Sequence, residues 1–240
     1  MKRVYDQAGV AARGDGFAVT LDGRPVMTPA KSRLVLPTEA LAAAIAREWQ
    51  DQDEEVRPDA MPLMRLACAA IDRVSGARDQ VVDEVAAYAG TDLLCYRADQ
   101  PDELAARQSA VWQPLLDWAA EAFGERLQVT AGLVPLQQSA AALAAYRAPV
   151  AAADDLTLTG LHAATTACGS LVLGLALARR RIDAESAYAA SQLDEIYQIE
   201  KWGDDAEAAQ RLSAIRDDIA AAERLFRLLE AGPGVARTAR

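Results

Sequence analysis

Residues 17–36, FAVTLDGRPVMTPAKSRLVL, contain the first clear structural signal of the chain. Phe17, Val19 and Leu21 alternate with smaller or polar side chains, which is the period of a half-buried β-strand. Asp22-Gly23 follows, and this dipeptide favours a type I′ hairpin turn. The segment therefore predicts a hairpin of short strands.

The hydrophobic period changes after Pro37, where residues 37–50 read PTEALAAAIAREWQ. Thr38 is a good helix N-cap. Apolar residues then recur every fourth position, as expected for one face of a helix: Leu41, Ile45 and Trp49. The sequence predicts an α+β fold, with a small N-terminal β domain at residues 1–36 and a larger, mainly α-helical domain at residues 37–240.

The composition is that of a globular protein with an uneven distribution of charge. The chain has 240 residues, 25 Lys and Arg against 35 Asp and Glu, a net charge of −10 and 52% hydrophobic residues. This composition argues against disorder, and the excess of acid argues against nucleic-acid binding. Residues 1–36 carry a net charge of +3, so the remaining residues carry −13.

The common sequence signatures of catalysis and metal binding are missing. The three cysteines, Cys68, Cys95 and Cys168, form no C-x-x-C pair, and His162 is the single histidine. There is no P-loop, no dinucleotide-binding glycine motif and no G-x-S-x-G motif. We therefore expect free, buried thiols, a structural histidine in or near the core, no cofactor and no metal.

Residues 156–178 have no formal charge, which raises the possibility of a membrane helix. Six hydroxyl or imidazole side chains and three glycines in this run argue against that interpretation. Small residues at Ser170, Gly174 and Ala178 would let a second helix approach closely. We expect a buried central helix, with no stable insertion into a membrane.

Two further helical regions are predicted beside this run. Residues 104–123 read as one or two helices, with an interruption near Pro114 because proline lacks an amide donor. A helix capped by Asp183 should extend to about residue 202, where Gly203 ends it. Tryptophans at helical positions are more often buried than exposed, which applies here to four of them: Trp49, Trp112, Trp118 and Trp202.

The densest polar segment is residues 192–207, which contains six carboxylates and one lysine. One interpretation is a solvated helix end, favoured for Asp204 and its neighbours. A second is a hydrolase or lyase that uses carboxylates as acid and base: Asp194, Glu195 and Glu200. A third places Glu195 at the rim of a groove, where its carboxylate could pair with an arginine of a partner.

An ordered series of segments resembles the assembly chaperones for the alpha subunit of the ATP synthase catalytic head. The segments are Thr20-Leu21-Asp22-Gly23-Arg24-Pro25-Val26-Met27-Thr28-Pro29-Ala30-Lys31, Glu48-Trp49-Gln50-Asp51-Gln52, Met61-Pro62-Leu63, Thr91-Asp92-Leu93-Leu94-Cys95-Tyr96-Arg97-Ala98, Gln108 with Trp112 and Pro114, Gly169-Ser170-Leu171-Val172-Leu173, and Asp194-Glu195, Gln198 and Trp202-Gly203-Asp204. The likeness covers roughly residues 3–230. Gln113 departs from it, since an acid is expected there.

The resemblance implies an ATP-independent, non-enzymatic chaperone that holds the unassembled alpha subunit and shields a surface later covered by the beta subunit. Because no mitochondrial transit segment is visible, it implies a bacterial, cytoplasmic member, expected to be a monomer when free. The partner-binding residues that it implies are Glu195, Asp194, Gln198, Trp202 and Asp204. Those with structural roles are Trp49, Gly23, Asp92, Ser170 and Gly174.

Overall fold

The computed structural model describes residues 2–14, 16–132, 136–203 and 206–230. The chain divides into two compact units. The first unit contains the described residues within Met1–Arg78, Asp155–Thr159 and Arg224–Arg240, and the second those within Asp79–Asp154 and Gly160–Glu223. The domain boundary at residue 36 stays a prediction.

Four strands of the first unit form one antiparallel sheet. They are β1 (Ala8–Arg13), β2 (Gly16–Leu21), β3 (Arg24–Pro25) and β4 (Val35–Leu36). Strand β2 pairs with the other three, and its register with β1 places Val19 opposite Val10. Asp22 and Gly23 have φ angles of 47° and 76°, as a two-residue type I′ turn requires.

Helix α1 (Glu39–Gln50) packs on β1 and β2 and forms the core of the first unit with them. The Thr38 hydroxyl accepts a hydrogen bond from the Leu41 amide at 3.2 Å, which confirms the predicted cap. Helix α2 (Pro62–Ala69) follows and contacts α1, and a single π-helical turn extends it to Val74.

The remaining elements are mostly helices. In chain order they are α3 (Arg78–Ala87), β5 (Tyr96–Arg97), α4 (Asp102–Phe123), β6 (Thr130–Ala131), α5 (Ala140–Ala152), α6 (Asp155–Cys168), α7 (Leu171–Ala178), α8 (Ala184–Ser191), α9 (Leu193–Trp202) and α10 (Ala206–Glu230). Strands β5 and β6 pair in parallel. A small strand region followed by a larger helical region confirms the predicted α+β class.

The predicted interruption at Pro114 is wrong, because α4 continues through this residue. Proline removes one amide donor from the helix. The same part of α4 buries Trp112 and Leu116, which are 0% and 2% exposed. Burial of these large side chains outweighs the missing hydrogen bond.

The single central helix predicted over residues 156–178 is also wrong, since the run forms α6 and α7. Gly169 separates them with a φ of 64°, and the Ser170 hydroxyl caps α7 by accepting from the Leu173 amide at 3.1 Å. Every residue from Leu171 to Leu177 is buried. Within the part of the chain that the structure describes, no helix is both long and apolar enough to cross a membrane.

The helix predicted from Asp183 to residue 202 is two helices, α8 and α9. Asp183 caps α8 as predicted, and its carboxylate accepts from the Ser186 amide at 2.8 Å. The backbone leaves the helical conformation at Gln192, where ψ is 18°. Four of the five predicted partner-binding residues therefore lie on a separate ten-residue helix.

Candidate functional site

Helix α9 is anchored by one side and presents the other to solvent. Leu193 and Tyr197, four residues apart, are 8% and 5% exposed and pack the helix against the rest of the second unit, to which it belongs. Gly203 ends the helix with a φ of 84°, a conformation that glycine adopts without steric strain, and its amide donates to the Ile199 carbonyl.

The outward side of α9 contains four of the predicted partner-binding residues, which we call the α9 face: Asp194, Glu195, Gln198 and Trp202. Spacings of three and four residues place the last three on the side opposite Leu193. Gln198 is exposed, and the Trp202 side chain is 77% exposed. The prediction that tryptophans are buried is therefore wrong for Trp202, whereas Trp112 is completely buried.

Asp194 lies at the edge of this face and is fixed by a buried glutamine of α4. The Gln108 side-chain amide donates to Asp194 Oδ1 at 2.7 Å, while its carbonyl oxygen accepts from the Ala98 amide at 2.7 Å. Gln108 is only 1% exposed, so both of its polar ends are satisfied inside the unit. The Asp194 carboxylate thus has a defined direction at the surface.

Glu195 is held by α10. Arg211 Nη2 donates to Glu195 Oε1 at 2.8 Å, and the Glu195 side chain is 31% exposed. A pair of this kind between partly exposed side chains contributes little to stability, about 0–1 kcal/mol. The carboxylate is therefore oriented by Arg211 but can exchange this partner for another cation at small cost.

A charged network beside the α9 face joins α4 to α9. Glu103 accepts from Lys201 Nζ at 2.9 Å, from Arg107 Nη2 at 3.0 Å and from the Tyr197 hydroxyl at 3.2 Å. Arg107 also donates to Glu200 at 2.6 Å. The hydrogen bond from Lys201 lowers the pKa of Glu103, and the same contact raises the pKa of Lys201.

The fifth predicted partner-binding residue, Asp204, lies outside the residues that the structure describes. The three carboxylates considered for acid–base chemistry each bond to a different partner: Asp194 to Gln108, Glu195 to Arg211 and Glu200 to Arg107. Across the described ranges, no three His, Cys, Asp or Glu side chains are close enough together to hold a metal ion.

Asp92 is the one carboxylate among the residues with predicted structural roles, and it is completely buried, at 0% exposure. Its Oδ1 accepts from the Ser170 hydroxyl at 2.7 Å and from the Leu94 amide at 3.1 Å, and its Oδ2 accepts from the Val172 amide at 3.0 Å. Burial raises the pKa of Asp92 to about 6, against the opposing effect of these hydrogen bonds. The carboxylate ties the turn after α3 to the start of α7.

The other predicted structural residues occupy tight positions. A Cβ on Gly174 would lie 2.5 Å from Thr165 Oγ1, so α6 and α7 approach closely at this glycine. In the first unit, the Trp49 ring packs edge-on against Tyr5, and the Tyr5 hydroxyl donates to the Trp49 carbonyl at 2.6 Å.

Two expectations about reactive side chains need correction. His162 is not a core residue, since 45% of its side chain is exposed, and its Nε2 lies 3.8 Å from Glu84 Oε2. The three cysteines are free, but Cys68 is only half-buried, whereas Cys95 and Cys168 are buried. Burial raises the pKa of Cys168 to about 12, so this thiol stays protonated and unreactive.

Sequence reasoning missed the residues that position the site. Gln108 lies 86 residues before Asp194, and Arg211 lies on the next helix, 16 residues after Glu195. No local pattern indicates either contact. The spacing of Glu103 and Arg107 does indicate a helical ion pair, because residues four apart lie on one helix face. Glu48 was also missed: its carboxylate accepts from the Leu63 and Met64 amides, both at 2.9 Å, at the start of α2.

Known proteins with a similar sequence and fold belong to the family that the ordered segments of the sequence resemble. The family model described as "ATP12 chaperone protein" matches residues 2–120. The mitochondrial protein atp12 of Schizosaccharomyces pombe is 22% identical over 214 residues, which cover 84% of this chain and 74% of the relative.

Two solved structures match over nearly the whole chain. The crystal structure of Atp12 from Paracoccus denitrificans is 45% identical with a TM-score of 0.91, and the match covers 95% of this chain and 98% of that one. The Atu1473 protein of Agrobacterium tumefaciens is 38% identical with a TM-score of 0.90, and the match covers 95% of this chain and 86% of that one. The chain belongs to the ATP12 chaperone family.

Proposed function

We propose that this chain is an ATP-independent holding chaperone that binds the unassembled alpha subunit of the ATP synthase catalytic head. It shields an apolar surface of that subunit until the beta subunit covers it. We further propose that it works in the bacterial cytoplasm as a monomer when free, and that its function is binding without a chemical step. Membership of the ATP12 chaperone family supports a chaperone over a hydrolase or lyase.

The observation that carries the proposal is the exposure of Trp202 at the end of α9. An indole that is 77% exposed leaves a large apolar area in water, and such residues are enriched at protein interfaces. Tryptophan loses little conformational entropy on binding, because only two side-chain torsions must be fixed. Trp202 is therefore the residue from which we expect the largest share of the client affinity.

The polar residues of the α9 face would fix the orientation of the client. Asp194 is already held by Gln108, and Glu195 by Arg211, so both carboxylates are preorganised. A basic side chain of the client can replace Arg211 on Glu195, because the existing pair is exposed and weak. Gln198 lies between these carboxylates and Trp202 on the same helix side and can donate and accept hydrogen bonds.

Release of the client needs no nucleotide in this scheme. The sequence contains no ATP-binding motif, so the beta subunit would displace the chaperone by competing for the same apolar surface. Moderate affinity is required, because a client held too tightly could not be passed on. The acidic residues after position 36, with a net charge of −13, would favour approach to a basic client surface.

Co-expression with the alpha subunit of the same organism tests the proposal. The client is expected to move into the soluble fraction when this chain is present and to be captured with it. Replacing Trp202→Ala should weaken capture by at least about 2 kcal/mol, or about thirty-fold in Kd. Glu195→Lys should weaken capture as well, with an unchanged far-UV spectrum.

The matched control is Leu143→Ala, which shortens another exposed apolar side chain in the second unit, on α5. Capture by this variant should equal that by the unchanged chain. An alpha subunit that stays soluble without the chain would remove the holding role. Equal capture by the Trp202→Ala and Leu143→Ala variants would remove the α9 face from the proposal.

A further inference from the structure

A second surface with the character of a binding site lies in the first unit, around strand β3. Two surface cavities of about 520 and 550 Å³ both contain residues 25–27, one with Val4 and Arg24 and the other with Arg33 and Val35. We call the surface formed by Val4, Arg24, Met27, Arg33 and Val35 the β3 patch. It shares no residue with the α9 face.

The β3 patch is unusually apolar for an exposed surface. Val4 is 86% exposed, Met27 46% and Val35 38%. These are three of the seven large apolar side chains that are exposed among the residues described by the structure. Scattered single apolar residues are ordinary on protein surfaces, but three around adjoining cavities form a patch of the kind that marks an interaction site.

The loop that carries Met27 and Arg33 is fixed rather than free. The Thr28 hydroxyl donates to Asp72 Oδ1 at 2.7 Å, and the Ala30 amide donates to Asp72 Oδ2 at 3.1 Å. Met27 and Arg33 face each other in an antiparallel bridge across the base of this loop. A partner would therefore meet a preformed surface, which lowers the entropic cost of binding.

The charged side chains of the β3 patch are two arginines without an ion-pair partner among the described residues. Arg24 and Arg33 are exposed, and neither forms an ion pair within the described ranges 2–14, 16–132, 136–203 and 206–230. The nearby Asp22 carboxylate is occupied by the backbone amides of Asp6 and Gln7, at 3.1 and 2.9 Å. The patch thus has apolar side chains with free cations beside them, on a chain whose net charge is −10.

We propose that the β3 patch binds an extended polypeptide segment that presents acidic and apolar side chains on one and the same side. Side chains two positions apart in an extended segment point to the same side, so apolar ones can cover Met27 and Val35 while carboxylates at the next positions on that side reach Arg24 and Arg33. Charge complementarity selects this occupant, because the acidic remainder of the chain repels such a segment elsewhere. The proposal is independent of the α9 face.

The probe for the test is a short, fluorescein-labelled synthetic peptide with the repeat Leu-Ser-Glu-Ser, which places leucine and glutamate on one side of an extended segment. Fluorescence anisotropy is measured against the full chain, with a matched peptide in which lysine replaces glutamate. We expect the glutamate peptide to bind and the lysine peptide not to bind. The double variant Arg24→Glu/Arg33→Glu should weaken binding by about tenfold or more, since two attractions become repulsions.

Three further variants separate the possible explanations. Arg47→Glu reverses the charge of one exposed arginine on α1, as each half of the double variant does, and should leave peptide binding unchanged. Met27→Ser should weaken binding several-fold through lost apolar contact, while Trp202→Ala should have no effect. Equal loss in the double variant and in Arg47→Glu, or equal binding of both peptides, would overturn the proposal. Self-association that Arg24→Glu/Arg33→Glu abolishes would also overturn it, because the occupant would be a second copy.

Discussion

Replacing Asp92→Asn gives the sharpest test of the packing in the second unit. The asparagine carbonyl oxygen can take the place of Oδ1 and accept from Ser170 and Leu94. Its NH₂ group then faces the Val172 amide, so two donors meet where the aspartate Oδ2 now accepts at 3.0 Å. One hydrogen bond is lost inside the protein, which costs about 1–3 kcal/mol.

The effect of this substitution depends on pH, because burial raises the pKa of Asp92 from 3.8 to about 6. A folded-state pKa above the unfolded value means that the folded protein binds the proton more tightly. Stability from Asp92 is therefore greatest below about pH 4 and falls as pH rises to 6. At 1.36 kcal/mol per pKa unit, a rise of about two units corresponds to about 3 kcal/mol.

Urea unfolding followed by far-UV circular dichroism measures this contribution directly. We expect the Asp92→Asn variant to be the less stable protein near pH 4, with the difference shrinking by about 3 kcal/mol by pH 7. The control is Asp183→Asn at the exposed cap of α8, where hydrogen bonds from Ser186 lower the pKa of the carboxyl. The stability that Asp183 supplies should instead disappear as pH falls. A difference for Asp92 that is constant, or that grows with pH, would show that burial does not raise the pKa of this carboxyl group.

Two substitutions test the close contacts. Gly174→Ala should destabilise the protein by about 1–3 kcal/mol, because the new methyl group meets Thr165 Oγ1. Adding Thr165→Ala should recover part of the lost thermal stability, and an unchanged melting temperature in the single variant would contradict the close approach. Glu48→Gln should cost about 1–3 kcal/mol in urea unfolding, because one of the bonds from Leu63 and Met64 is lost. Equal stability would show that the carboxylate does not cap α2.

Local patterns predicted the elements whose causes are local. The turn at Asp22-Gly23 and the capping of α1 by Thr38 follow from residues next to each other in the chain, and both are present. The break between α6 and α7 was missed although its signals, Gly169 and Ser170, stand in the sequence. The long uncharged run around them favoured one continuous helix. At Pro114 the error is the opposite one: a break was predicted where the helix continues, because burial of side chains on α4 outweighs a missing amide donor.

The positions of the candidate residues were predictable in part. Helical spacing places Gln198 and Trp202 on one side of α9, but it does not predict that this side faces solvent. That follows from Leu193 and Tyr197, whose burial depends on helices far away in sequence. The contact of Gln108 with Asp194 joins residues 86 positions apart, and no periodicity or spacing indicates such a pair.

Site-specific photo-crosslinking can show whether the α9 face contacts the alpha subunit. A benzophenone-bearing amino acid at position 202, on the chain co-expressed with the ATP synthase alpha subunit, reports which protein contacts the end of α9. We expect a covalent product between the two chains on irradiation, and none from the same probe at position 143. Irradiation that gives no product at position 202 while the alpha subunit is still captured would contradict the claim that the α9 face holds the client.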